Sequence, residues 1–256
     1  MVPNDTTGRR IKTADKVFDI IEYVRANEGA ELPAIADHVN IAKSTTHAYL
    51  GTLKDRGYLT RDGDEYRLSI KFLNHGTHVR HTYSIFDLIS PLLRELANKT
   101  EGLVEFTILE DGHEVPLELV RGPRAVRTVD RIGVSYPAHA TAAGKAMLSQ
   151  LSESEVEAII DEHGLTPETE HTITDRAELF EELDAIRERG YAYNDSELVD
   201  DIRAVATPIN AEEYNQMAVV VAGLGEWMRG TRYREEIPQA ILEVKNEVEL
   251  KYKYDS

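Results

Sequence analysis

Leu32, Ile35, Ala36 and Val39 recur at i, i+3, i+4 and i+7, one apolar stripe on a short helix. Pro33 fits the first turn of that helix, where a missing N–H leaves nothing unsatisfied. Asn40 suits a left-handed close, because its short side chain tolerates positive φ. A second helix is expected over 43–56, with Leu50, Leu53 and Thr46 inward and a nearly all-polar first turn, Lys43-Ser44-Thr45-Thr46-His47. Gly57 ends it. Residues 58–61 and 65–68 read as short strands around Asp62-Gly63-Asp64, and Asp-Gly between such runs is a strong hairpin signal. Upstream, Val17, Ile20, Ile21 and Val24 stripe a helix over 14–27. A short helix, a tight turn, a helix opening on hydrogen-bonding side chains and a hairpin wing form the layout of a DNA reader. Such a helix sets its N-terminal residues against base edges in the major groove.

Beyond the hairpin the pattern predicts a helical connector over 69–80, on which His75, His78 and His81 recur every three residues. No carboxylate or cysteine completes a metal site locally, so the run reads as a solvated helix face. A helix over 83–98 follows, with Pro91 predicting a kink or break near Ser90. From Gly102 the period changes. Strands are expected over 103–109 and 114–120 around Asp111-Gly112, with a further short strand at 125–129. Helices are expected at 143–151, 153–163 and 176–189, strands at 191–193, 204–209 and 217–224, and a closing helix over 232–251. Strands, then helices, then strands again imply an α+β domain. The expected organisation is a winged helix-turn-helix over 1–68, a helical linker over 69–82, and an α+β domain over 83–256.

Length agrees with two domains at 256 residues. No apolar run approaches the ~18 residues of a membrane span, and residues 1–12 hold no apolar segment of a signal peptide, so a cytoplasmic address is expected. The absence of cysteine excludes disulfides and thiolate chemistry. A net charge of −17 looks wrong for a DNA binder until it is divided along the chain. Residues 1–82 carry 12 Lys+Arg against 11 Asp+Glu; residues 83–256 carry 17 against 35. The reader is near neutral and its neighbour strongly acidic. Lysine is scarce, 10 against 19 arginines. An acidic, lysine-poor surface suits a salt-rich, halophilic cytoplasm, where molar salt shortens the Debye length to about 3 Å. The alternative is an acidic mesophile surface.

Two blocks carry chemistry. The first, Tyr136-Pro137-Ala138-His139-Ala140-Thr141-Ala142-Ala143-Gly144-Lys145-Ala146, is rich in small residues and leads into a helix. It reads either as a helix start that receives an anion or as close helix–sheet packing. A phosphate loop is excluded: His139 stands where its first glycine belongs, and no Ser or Thr follows Lys145. The second block, 190–209, is a strand, an acidic loop and a strand, suited to a pocket wall. Within it Arg203 either clamps a ligand carboxylate or pairs with Asp200. Ser135, His139 and Asp130 assemble into a triad on paper only, since no strand–turn–helix elbow surrounds a serine. No catalytic set, metal site or cofactor is expected.

The 32–76 stretch, LPAIADHVNIAKSTTHAYLGTLKDRGYLTRDGDEYRLSIKFLNHG, resembles the DNA-binding half of the IclR family of transcriptional regulators. The Pro-x-His-Ala-x-x-x-Gly-Lys-Ala block and the 190–209 block resemble that family's effector domain. The resemblance implies a winged helix-turn-helix joined to a GAF-like α+β effector domain, and a regulator of a catabolic operon. It implies operator contacts from Arg9, Arg10, Lys43, Ser44, Thr45, Thr46, His47, Tyr49, Arg61 and Arg67 on double-stranded DNA. It places a small organic acid or sugar acid against Ala125, Thr128, Ala142, Ala143, Asn194, Asp195, Ile202, Arg203 and Ala204, in a homodimer or tetramer. Three positions depart from the family pattern. Ala48 stands where many members have a basic residue, Asn194 replaces an acid, and Asp201 replaces a glycine. A rival class stays open here: a hydrolytic or RNA-modifying enzyme that uses the winged helix for docking.

Overall fold

The computed structural model describes residues 11–125, 132–211 and 214–255. The chain divides between Tyr83 and Ser84 into two compact units.

In the first unit, α1 (Lys12–Ala26), α2 (Leu32–Val39) and α3 (Lys43–Asp55) close on a core of Ile20, Val24, Ile35, Val39, Leu50, Leu53, Leu59 and Tyr66. Burying one such side chain contributes about 1.5–3 kcal/mol. Asn40 ends α2 with φ 52° and ψ 53°, and the Ile41 amide reaches back to the Ala36 carbonyl at 3.2 Å. α2 and α3 are thereby separated by one tight turn, which fixes their crossing. Strands β2 (Leu59–Asp62) and β3 (Glu65–Leu68) form the hairpin, with Gly63 at φ +60° in its turn. A third strand, β1 (Ala30–Glu31), pairs antiparallel to β3 and was outside the sequence reading. α4 (Lys71–His81) buries none of its residues, and Ile70, Leu73 and Val79 stay exposed at and along it.

The second unit is a six-stranded antiparallel sheet in the order β6-β5-β4-β9-β8-β7. These are β4 (Leu103–Glu110), β5 (His113–Arg121), β6 (Tyr136–Pro137), β7 (Ala192–Asp195), β8 (Ile202–Ala211) and β9 (Tyr214–Leu224). One face carries α5 (Phe86–Thr100) and α9 (Ile237–Asp255). The other carries α6 (Ala142–Leu148), over which α7 (Glu153–His163) and α8 (Arg176–Arg189) pack. The second face is built from small residues, Ala192, Ala204, Ala206 and Ala218 on the strands against Ala142, Ala143 and Ala146 on the helix. Such a surface lets α6 lie unusually close to the strands.

The caps explain why α7 and α8 run over 153–163 and 176–189 as the sequence predicts. Ser152 and Glu155 form a reciprocal capping box, Asp175 caps α8, and Gly164 and Gly190 close the two helices at positive φ. The expected break at Ser90 does not occur: α5 runs unbroken through Pro91. Pro91 lies on the exposed face of α5, where solvent can take the carbonyl that the ring leaves unpaired. The strand expected at 125–129 falls largely outside the described residues. No helix among the described residues is long and apolar enough to cross a membrane.

Candidate functional site

The first turn of α3 sorts its residues cleanly. Lys43, Ser44, Thr45, His47 and Ala48 are exposed, Tyr49 is half-buried, and Thr46 is fully buried. Thr46 turns its hydroxyl back to the Ala42 carbonyl at 3.2 Å. Thr46 thus faces inward, as its spacing predicts, and the operator contact that the resemblance implies for it is corrected: it is fully buried and its one donor is spent. Among the described residues, the side chains of Ser44, Thr45 and His47 make no hydrogen bond within the chain. Ala42, at the helix N-cap, supplies no side-chain cap, so the leading amides of α3 also face outward.

The wing is less open. Arg61 donates to the Gly63 carbonyl and to Asp64, both at 2.9 Å, and Arg67 donates to Glu65 at 2.7 Å. Both arginines are therefore matched by neighbouring acids, in exposed pairs worth about 0–1 kcal/mol that a phosphate can displace. Arg9 and Arg10 lie outside the described residues, as does Thr128.

The effector residues predicted from sequence do not converge on one place. Successive residues of a strand point to opposite faces of the sheet. Asn194, Ile202 and Ala204 share the α6 face, with Ala142 and Ala143 opposite. Asp195 and Arg203 are cross-strand partners on the other face. There the Arg203 guanidinium binds both Asp195 oxygens, at 2.5 and 3.3 Å, and also the Gly225 and Met228 carbonyls, over the Tyr233 ring. Asp195 holds the Arg203 guanidinium above its ordinary pKa. Arg203 is thus corrected on its partner. It pairs with Asp195 rather than Asp200, and most of its donors are engaged within the chain. Ala125 is half-buried beyond the Gly122-Pro123 turn.

Asn194 is buried, and its amide is spent inside the protein. Nδ2 donates to the Ala140 carbonyl at 2.7 Å, Oδ1 accepts from the Glu197 amide at 3.1 Å, and Tyr233 donates its hydroxyl to the Asn194 carbonyl at 2.9 Å. The residue pins the 138–146 block to the β7–β8 loop. An aspartate would place an oxygen against the Ala140 carbonyl, which accounts for the amide here.

The same block settles between its two readings. Gly144 is required because a Cβ would stand 2.1 Å from the Ala138 carbonyl oxygen, backbone against backbone. Thr141 accepts the Gly144 amide at 2.9 Å, and every residue of α6 is buried. Close packing, not an exposed anion site, explains the small residues. Local sequence does not show what this packing encloses. Lys145, 1% exposed, donates to both oxygens of Glu197 at 2.5 and 2.6 Å, with Glu182 at 4.0 Å. Burial pushes the Glu197 carboxyl up, and the ammonium of Lys145 pulls it back. The only advance signs were a Gly-Lys pair and an acidic loop. His139 donates its Nε2–H to the Thr166 carbonyl, 3.0 Å away, and burial lowers its pKa.

A winged helix with an unspent polar recognition helix, in one chain with a separate α+β unit, defines a DNA-binding regulator. Comparison with known proteins agrees. The sequence profile of the IclR helix-turn-helix domain matches residues 13–63, and that of the bacterial transcriptional regulator IclR C-terminal domain matches residues 77–249. The chain belongs to the IclR family of transcriptional regulators. It is 26% identical over 253 residues to the probable HTH-type transcriptional regulator ArcR of Halobacterium salinarum, covering 97% of this chain and 96% of that one. The crystal structure of Thermotoga maritima IclR superposes with a TM-score of 0.84 at 26% identity, covering 96% of this chain and all of that one. An IclR homolog from Microbacterium hydrocarbonoxydans, complexed with 4-hydroxybenzoate, shares the fold at 17% identity. Its TM-score is 0.81, over 95% of this chain and 100% of that one. The enzyme alternative has no support: the family consists of transcriptional regulators, and the paper triad loses His139 to Thr166.

Proposed function

We propose that this regulator acts in the cytoplasm as a homodimer whose two α3 helices read a two-fold operator of a catabolic operon. A small organic or sugar acid bound by the second unit would control that reading. The observation that carries it is the first turn of α3. Ser44, Thr45 and His47 are exposed and unspent, on a helix whose position is set by buried Thr46, Leu50 and Leu53. Lys43 and the wing arginines Arg61 and Arg67 serve the phosphates, and Tyr49 steadies the helix from its half-buried place. Dimerisation is supported by apolar side chains left in water on the first unit. Ile11 just before α1, Phe18 on it, and Ile70, Leu73 and Val79 at α4 are all more than half exposed. A unit of this size rarely leaves that much apolar surface uncovered. A closed two-fold pair covers such a face once and matches a palindromic site.

The effector reading rests on the α6 face. Ala142, Ala143 and Ala204 are enclosed, so a ligand reaches them only as α6 parts from the sheet, while Ile202 is half-buried at the rim. The relative that carries 4-hydroxybenzoate supports an acid as the ligand class. A ligand changes DNA affinity only if it binds two arrangements of the protein unequally. A mobility-shift assay with DNA from upstream of its own gene is expected to give one discrete complex of dimer mass. That complex should weaken or tighten with one member of a panel of aromatic and sugar acids. Absence of any complex across the salt range defeats the regulator mechanism drawn here.

The division of charge adds a second expectation. With 35 acidic against 17 basic residues over 83–256, self-repulsion opposes compaction at low salt. Melting should therefore move to higher temperature between about 0.1 M and about 2 M KCl, most steeply at the low end, as screening shortens. Equal melting at both ends would dismiss the high-salt reading. Salt also weakens counterion release, so base-edge contacts must supply most of the DNA affinity.

A further inference from the structure

We infer that Asp111, Glu162 and His163 form a binding site for a divalent transition-metal ion. The donor atoms of the first three residues all lie within 4.8 Å of one another. They come from two rigid elements. Asp111 and Gly112 form the two-residue turn between β4 and β5, at φ 50° and 69°, with Glu110 paired to His113 across it. Glu162 and His163 are the last two residues of α7, closed by Gly164.

Three features separate this group from an ordinary acidic surface. First, neither carboxylate has a Lys or Arg partner among the described residues, although its neighbours on α7 do. Arg176 pairs with Glu157 and, at 2.5 Å, with Asp161, leaving Glu162 beside Asp111 without a counter-charge. Two like charges so close repel unless a cation lies between them. Second, the His113 Nδ1 is 2.7 Å from the Asp111 carbonyl oxygen. A carbonyl only accepts, so His113 donates from Nδ1. That bond holds the His113 ring against the turn that carries Asp111 and keeps the turn in place beside the three donors. Third, the His113 and His163 rings meet edge to face at 4.8 Å, and the turn fits against His163 only because residue 112 is glycine. A Cβ there would come within 2.6 Å of the His163 ring.

Two carboxylates with one imidazole suit zinc, manganese, cobalt or nickel, and the nitrogen donor disfavours magnesium and calcium. Exposure of Asp111 and Glu162 leaves room for water ligands. A bound ion would tie the β4–β5 turn, part of the sheet, to the end of α7 in the layer above. The segment after α7 holds Thr166, whose carbonyl bonds His139 of the small-residue block. The ion would therefore stiffen the wall next to α6. This inference stands apart from the DNA reading and from the identity of any organic effector.

The test uses untagged full-length protein, stripped with EDTA and desalted, titrated calorimetrically with Zn²⁺ and with Mn²⁺, with melting followed in parallel. One ion per chain should bind, with micromolar or tighter affinity for Zn²⁺, and raise the melting temperature. Asp111→Asn keeps the positive-φ turn, because asparagine tolerates it; it, Glu162→Gln and His163→Ala should each weaken binding at least about tenfold. A variant with His75, His78 and His81 all changed to alanine should bind like wild type. No binding by wild type overturns the inference. So does binding unchanged in Asp111→Asn and His163→Ala, or binding lost only in the α4 variant.

Discussion

Changing Ser44, Thr45 and His47 together to alanine is expected to lower affinity for the cognate operator by at least about a hundredfold while leaving melting unchanged. Each good base-edge contact discriminates by about 1–3 kcal/mol, and these three side chains are free to make such contacts because none is spent within the chain. Single substitutions should relax the preference at one base position each. Lys43→Ala should act differently. It weakens all sequences alike and lowers the salt slope by about one counterion. Thr46→Val is the inverse control. It removes the hydroxyl that bonds Ala42 and should alter stability, not the footprint. Arg61 and Arg67, already paired with Asp64 and Glu65, should contribute less than free arginines would. Quantitative anisotropy with operator and scrambled duplexes measures all of these. An unchanged footprint in the triple variant removes α3 as the reader. The absence of a basic residue at Ala48 makes the case sharper, since specificity must then rest on neutral and imidazole donors.

The fold was legible where local chemistry decides it. Apolar spacing marks α1, α2 and α3, and Asn40 marks the turn between the last two. Asp-Gly pairs at 62–63 and 111–112 mark the β2–β3 and β4–β5 hairpins, and Ser152, Asp175, Gly164 and Gly190 fix the ends of α7 and α8. It was not legible where partners are distant. β1 and β6 are two residues each and exist only through pairing with β3 and β5. Pro91 reads as a breaker because exposure of its face cannot be told from the residue itself. The candidate effector set divides between the two faces of the sheet for a reason that was available: Asn194 and Asp195 are adjacent on one strand, so their side chains point to opposite faces. The Lys145–Glu197 pair, 52 positions apart, had no local sign beyond the two residues themselves. Polar residues predicted to meet a ligand turn out to hold the fold together, Asn194 by its amide and Arg203 by its guanidinium.

That buried pair sets the second large effect. Lys145→Met is expected to destabilise the second unit by about 3–5 kcal/mol, because it leaves the Glu197 carboxylate enclosed without its cation. At ~2–4 °C per kcal/mol this lowers the melting temperature by roughly 10 °C. Adding Glu197→Gln should restore about half, since the remaining loss is then packing and hydrogen bonding rather than an unpaired charge. The pH dependence follows from the direction of the shift. Burial pushes the Glu197 carboxyl up, and in Lys145→Met nothing pulls it back as strongly. The folded variant therefore holds a proton that the unfolded chain has released. Its stability is fully present below the ordinary carboxylate range and is lost as pH rises through the raised value. The deficit against wild type should accordingly widen from about pH 5 to about pH 8. A deficit that is constant over that range would mean that Glu197 is already neutral beside Lys145, and that α6 is held to the β7–β8 loop by hydrogen bonding alone.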